Sequence, residues 1–407
     1  MRFALPLALL AALFPAASGC ASSVCCAPDP VDPVSARASA LTHEALVVDT
    51  HIDVPYRLRE RPDDVSGPTE TGDFDYPRAV EGGLDVAFMS IYIPASYQET
   101  GGARALADSL IDMVEEIAEA SPDRFGVVRS VDDVERLRSP RRVLLALGME
   151  NGAPVEGDVA TLRHFRDRGV RYVTLTHSRD NEISDSSYDT AGTHGGLSDF
   201  GRDVVREMNR LGIMVDVSHI SDAAFDDVME VTTAPVIASH SSARHFTPGF
   251  ERNLDDARIR QLAENGGVLH INFGSTFLLE RVQRDRDALR ERLRAEAEAA
   301  GVEPGTPEAD AFRARFEAAN PLRLADMTDV ADHIDHVVDL VGIDHVGLGS
   351  DYDGVGPTLP VGLEDVSTYP TLVAELLRRG YSDDDVRKVL GGNLMRVWRA
   401  VEARAER

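Results

Sequence analysis

Eight short apolar runs, spaced along the chain and separated by helical patterns, constrain this sequence more than any other feature. They fall at 45–50, 84–91 (LDVAFMSI), 143–149 (VLLALGM), 170–175 (VRYVTL), 213–217 (IMVDV), 235–238 (PVIA), 267–272 (GVLHIN) and 345–349 (HVGLG). Helix-like stretches at 104–120, 157–168, 199–211, 221–231, 255–265, 325–341 and 370–379 lie between or after them. Runs of this kind alternating with helices predict βα units and a parallel sheet. Eight such units predict a closed α/β fold, the (β/α)8 or TIM barrel. A doubly wound open sheet is the alternative, but it does not require eight regular units. No glycine-rich loop opens a helix after any run, so nucleotide binding has no support.

Three segments lie outside the repeating unit. Residues 276–320, rich in Arg, Glu and Ala, predict two helices joined by Gly301-Val302-Glu303-Pro304-Gly305, a helical insertion after strand 7. It reads first as a solvated excursion, with a partial lid or a dimer contact as alternatives, so a homodimer stays open. The tail carries an N-cap pattern, Ser382 with Asp385 three residues on, followed by an apolar stripe through Val389, Leu394, Val397 and Trp398 that should pack on the barrel. At the other end, Arg2 precedes an apolar run from Phe3 to Phe14, too short to span a bilayer, and small residues follow. Ala17-Ser18-Gly19-Cys20 resembles a bacterial lipoprotein box, with Cys20 the lipidated residue. The expected domains are therefore a lipoprotein signal peptide (1–19), a flexible tether (20–40) and one barrel domain (41–407). All three cysteines, Cys20, Cys25 and Cys26, precede the barrel, so its body has no disulfide framework.

In a TIM barrel the residues that close the strands all face one mouth, however far apart they lie in sequence. The first run ends in His51 and Asp53, which share a side of an extended chain. The third ends in Gly148-Met149-Glu150-Asn151-Gly152, a carboxylate between glycines. The next three end in Thr176-His177-Ser178, Val217-Ser218-His219 and Ala238-Ser239-His240, and the last in Ser350-Asp351-Tyr352-Asp353. A single histidine after a strand is usually a satisfied polar residue. Four histidines with several carboxylates, each closing a different strand, instead predict a metal centre.

Three His, one Asp and one Glu suffice for two ions that share a carboxylate. Imidazole and carboxylate without thiolate suit Zn2+ best, with Mn2+ or Co2+ as alternatives. A carboxylated lysine cannot be the bridge, because Lys388, the sole lysine, lies in the C-terminal helix. Glu150 is the natural replacement. His194 and His245 fall in loops near the mouth, and His43, His164, His333 and His336 in helical or linker patterns; these read as surface or core. His270 and His345 lie inside strands and receive no role.

These motifs together resemble the renal or membrane dipeptidase family, zinc dipeptidases of amidohydrolase-like barrel type. The matching stretches are Asp49-Thr50-His51-Ile52-Asp53, Gly148–Gly152, Leu175-Thr176-His177, Asp216-Val217-Ser218-His219, Ser239-His240-Ser241-Ser242-Ala243, Arg252-Asn253-Leu254 and Gly349–Gly354, spread over about residues 41–402. The resemblance implies that His51 and Asp53 bind one zinc, His219 and His240 the other, and that Glu150 bridges them. It implies that His177 contacts the substrate carbonyl, Arg252 the terminal carboxylate, and Asp351 the amino group or a transferred proton. Asp353 is the competing assignment for that last role.

The implied activity is hydrolysis of dipeptides, tolerant of a D-residue at the C-terminal position, through a metal-bridging hydroxide. Dehydropeptides, β-lactams or N-acyl-D-amino acids would suit the same site, and a non-catalytic peptide-binding lipoprotein is the alternative of another class. The formal net charge of −27 disfavours nucleic acid and anionic membrane faces. Membrane attachment is thus expected only through the N-terminal lipid, in a bacterial cell envelope.

Overall fold

The apolar runs become the staves of a barrel. The computed structural model describes residues 32–406. Its strands are β1 (Val48–Ile52), β2 (Val86–Tyr92), β3 (Phe125–Val127), β4 (Val143–Glu150), β5 (Val170–Thr174), β6 (Met214–Asp216), β7 (Ile237–Ser241), β8 (Val268–Ile271) and β9 (Val346–Leu348). The order β1-β2-β4-β5-β6-β7-β8-β9 is parallel throughout. Closure comes from the parallel bridge Ile52–Tyr352, where Asp53 N–H donates to Tyr352 O (2.9 Å) and Asp351 N–H to His51 O (3.0 Å). The fold is the expected (β/α)8 barrel. Helices outside and side chains inside bury each strand on both faces, which is why the strands read as unbroken apolar runs; every residue of β4 is buried.

Strand β3 was not legible in advance. It pairs with Val143–Leu145, on the edge of β4 that β5 takes over from Leu147. Three residues around Gly126 carry too little periodicity to announce a strand.

Inside the barrel, side chains stack from its N-terminal end toward its mouth. Trp398, fully buried on the Asn393–Glu402 helix, meets Phe88 edge-on at 5.3 Å. Phe88 stacks on Tyr172 (5.4 Å), and Tyr172 lies under His51 (6.4 Å). The tail stripe therefore plugs the barrel's lower end, and truncating a buried aromatic of this size costs about 3–5 kcal/mol. Gly148 makes room for the column, since a Cβ there would stand 1.9 Å from the Tyr172 ring. The tail's cap forms as expected, with Ser382 and Asp385 closing a reciprocal capping box.

The insertion forms the helices Glu280–Ala299 and Pro307–Ala319, as expected. The tether requires a correction. Pro33–Glu44 is helical and buries Ala38 and Leu41, so ordered structure begins before residue 41. Proline at the first helical position and buried apolar residues outweigh the Ser/Pro/Ala composition that suggested a flexible linker. The leader and Cys20 lie outside the described residues. Among those described, no helix is long and apolar enough to cross a membrane.

Candidate metal centre

Each site residue reaches the mouth because its strand ends there. His51 comes from β1, and Asp53 is the N-terminal flank of the short helix Val54–Glu60 that follows. Glu150 is the last residue of β4, His240 lies in β7, and His177, His219 and Asp351 follow β5, β6 and β9. The chain turns sharply just beyond several strands: Asn151 (φ 80°), His219 (71°), Asp351 (64°) and Asp353 (65°) all adopt the left-handed conformation. That backbone costs a non-glycine residue about 1 kcal/mol or more, and here it aims polar side chains back over the barrel.

The convergence is tight. Glu150 Oε1 lies 3.0 Å from His219 Nε2, 3.2 Å from His240 Nε2 and 3.6 Å from His177 Nε2. Its Oε2 lies 3.4 Å from His51 Nε2, which is 3.5 Å from Asp53 Oδ2. Three overlapping groups have donor atoms spaced for one ion each: His51, Glu150 and His240; Glu150, His177 and His219; His51, Asp53 and Asp351. The structure thus brings together His51, Asp53, Glu150, His177, His219, His240 and Asp351, while Asp353 stays outside these groups. It also sets His240 between the two halves, stacked on His51 at 3.7 Å with its Nε2 2.8 Å from that of His219.

The buried groups shift in different directions. Burial, then neighbouring cations, Arg252 among them, hold His219 and His240 well below the usual histidine range. Burial also lowers His177. His51 moves the other way: burial opposes its charge, but Tyr172 and the carboxylates Glu150 and Asp53 raise it. Burial would raise Glu150, yet the surrounding imidazoles hold it well below the normal value. Asp351 is raised by burial and by Asp53 beside it.

Two tautomers follow from counting donors. Tyr172 donates its hydroxyl to Thr50 O (3.0 Å), so towards His51 Nδ1 (2.8 Å) it can only accept. Ser239 Oγ donates to Asp216 Oδ2 (2.6 Å), so towards His240 Nδ1 (2.7 Å) it too accepts. Both rings then keep a proton on Nδ1 and turn Nε2 toward Glu150, leaving Nε2 as the nitrogen that binds a metal in the neutral form. His51 Nε2 and Asp53 Oδ1 are buried without a hydrogen-bond partner among the described residues, a costly state unless a cation satisfies them. The residues therefore fit bound metal.

Arg252 is 2% exposed, and no acid pairs with it among the described residues. Its guanidinium donates to Ser241 Oγ (2.5 Å) and His240 O (2.8 Å) and lies over the Phe277 ring at 5.4 Å, with Nε unpartnered. A buried guanidinium with no paired acid is a ready anion site. Asp351 accepts from Asn272 Nδ2 (2.7 Å), whereas Asp353 pairs with Arg57 (2.9 Å) and accepts from Asp73 N (2.7 Å). Burial pushes Asp353 up to about 7, against the pull of Arg57. His270 and His333 are buried core histidines, each donating to a backbone carbonyl.

Tyr172, Asp216, Ser239 and Asn272 received no role from sequence. Asn272 immediately follows β8, so the strand-end rule that selected the others would have found it. Tyr172 lies within β5 and Asp216 ends β6, and only the closed barrel shows what they touch.

A parallel eight-stranded barrel with imidazoles and carboxylates gathered at its C-terminal mouth defines a metal-dependent hydrolase. The match is more specific than that class: the sequence profile described as membrane dipeptidase (peptidase family M19) covers residues 35–407, and the chain belongs to this family. Dipeptidase tcpJ of Claviceps purpurea is 36% identical over 349 residues, 84% of this chain and 72% of that protein. Dipeptidase 3 of Rattus norvegicus is 33% identical over 377 residues, 90% of this chain and 67% of that one. Among solved structures, the probable dipeptidase PvdM from Pseudomonas aeruginosa superposes with a TM-score of 0.78 at 28% identity, covering 91% of this chain and 99% of its own. A metallopeptidase from Rhodobacter sphaeroides, liganded with a phosphinate mimic of the dipeptide L-Ala-D-Ala, gives 0.71 at 26% identity, covering 88% and 99%. The protein is a metallodipeptidase of this family.

Proposed function

We propose that this dipeptidase works with two zinc ions held by His51, Asp53, Glu150, His219 and His240, with Glu150 shared between them. The observation that carries the reading is Glu150 itself, whose two oxygens face imidazoles arriving from both sides of the mouth. Zinc held by these residues would supply Lewis acidity, activating water near neutral pH and polarising the scissile carbonyl. The protein's own residues do the rest. Arg252 receives the substrate's carboxylate on its free guanidinium hydrogens. His177, neutral and 3.6 Å from Glu150, donates from Nε2 to the oxyanion that develops on the attacked carbonyl, an interaction worth about 3–4 kcal/mol. Asp351, steadied by Asn272, passes a proton to the departing amine. Asp353 is engaged with Arg57, which favours Asp351 for this role.

An arginine at one end and acids at the other select short zwitterions. Tolerance of a D-residue at the C-terminal position is supported by the L-Ala-D-Ala mimic seen in the Rhodobacter sphaeroides relative. The lipobox ending in Cys20 supports export and lipid anchoring at a bacterial envelope. A dipeptide panel with L and D residues at each position, assayed with and without zinc alongside metal analysis, tests the reading. About two zinc per chain and zinc-dependent cleavage are expected. A purified protein that binds no zinc, or cleaves without it, would overturn the reading.

A further inference from the structure

A second cavity, of about 570 Å3, adjoins the metal centre under the insertion helices. Arg286, Leu289, Arg290 and Leu293 line it from Glu280–Ala299, a spacing that puts all four on one helix face. Phe316, buried on Pro307–Ala319, adds a further apolar wall. The first insertion helix buries only Val282, and its half-buried Leu289 and Leu293 face this space.

Two residues connect this cavity to the site. Gly354 borders both it and the cavity of about 350 Å3 over the metal cluster. Phe277 borders it as well, and supports the Arg252 guanidinium on its ring face. A dipeptide's terminal carboxylate and its last side chain leave the same Cα. With the carboxylate on Arg252, that side chain emerges beside Phe277, at the cavity's entrance. Arg286 pairs only with its neighbour Asp287, at 3.6 Å, and Arg290 with no acid among the described residues. These arginines outnumber Glu317 on the lining, so the cavity disfavours a cationic side chain.

We propose that the insertion cavity receives the substrate's C-terminal side chain and makes the enzyme select dipeptides with a bulky apolar residue there. This inference rests on the dipeptidase reading above and names its substrate class. A hydrophobic pocket discriminates by about tenfold or more for each methylene it fills, so the preference is measurable.

The test compares kcat/KM of the zinc-loaded full chain for alanyl-glycine, alanyl-leucine and alanyl-phenylalanine, the latter two with L and D C-terminal residues. The expected ratio of phenylalanine to glycine substrate is at least tenfold, carried mainly by KM. Leu293→Trp, which fills the cavity from a half-buried position, should lower that ratio at least tenfold, and Leu289→Trp provides an independent second filling. A ratio near one in the native protein, or one that neither variant moves, overturns the inference while leaving the dipeptidase reading intact. Failure to cleave any of these substrates overturns both.

Discussion

Asp216→Asn offers a stringent test of how the metal site is set. Asp216 is fully buried at the end of β6, and its carboxylate accepts from four donors. Ser218 N (3.0 Å) and Ser239 N (2.8 Å) reach Oδ1, while Ser239 Oγ (2.6 Å) and Thr174 Oγ1 (2.5 Å) reach Oδ2. An asparagine keeps the first pair by presenting its carbonyl, but puts an NH2 where two hydroxyls donate. Ser239 must then accept from the amide, and its own proton turns toward His240 Nδ1. That favours the tautomer with a proton on Nε2, which faces Glu150 at 3.2 Å and has no lone pair left for a metal.

The magnitudes follow from these bonds. Two backbone N–H bonds lose their charged acceptor, a change of about 1 kcal/mol each, so stability should fall by about 2 kcal/mol. Loss of such an outer partner weakens metal binding about 10- to 100-fold, or about 1.4–2.7 kcal/mol. Competitive zinc titration of the folded variant measures the second quantity, and urea unfolding of the metal-free protein the first. Ser239→Ala, which removes the intermediate hydroxyl, should weaken zinc binding in the same direction. Zinc affinity within twofold of the native value in both variants would refute the tautomer argument.

Glu150→Gln should lose zinc and activity together, and near-normal turnover would remove Glu150 from the shared position. Arg252→Ala should raise KM for dipeptides at least tenfold, about 1.4 kcal/mol, with zinc content unchanged; an unaltered KM would take it out of the substrate site. His333 accepts from Ala243 N at Nδ1 (3.1 Å) and donates from Nε2 to Leu278 O (3.0 Å), and burial pushes it down to about 4. The unfolded chain therefore binds this proton first, so the native state is favoured above pH 6.5 and loses about 3 kcal/mol as pH falls to 4. Urea unfolding of metal-free protein should show a shallower loss over that window in His333→Gln, and an identical slope would exclude the histidine as its source. Cys20→Ser should release the protein from membranes, as fractionation of producing cells would show; retention would reject the lipid anchor.

Sequence alone determined the staves and the polar residues that end them. Both are local: a strand buried on two faces must be a continuous apolar run, and chemistry at a barrel mouth must begin where that run stops. His51, Glu150, His219 and His240 were legible for that reason. The insertion was legible as two helices from its composition and the glycine-flanked joint, but the cavity beneath it was not. The helix Pro33–Glu44 was misread because its support comes from packing against distant residues that local composition does not reveal.

Tertiary structure decided what those residues face. Closure through Ile52 and Tyr352 brings β1 against β9, and with it His51 against Asp351. It sets Tyr172 under His51 and Ser239 between Asp216 and His240, which fixes the protons that no spacing in the chain can specify. It also buries Arg252 without an acid among the described residues and turns Asp353 to Arg57, separating Asp353 from Asp351, which looks alike in sequence. These outcomes depend on low-dielectric contacts between strands that meet only when the barrel closes.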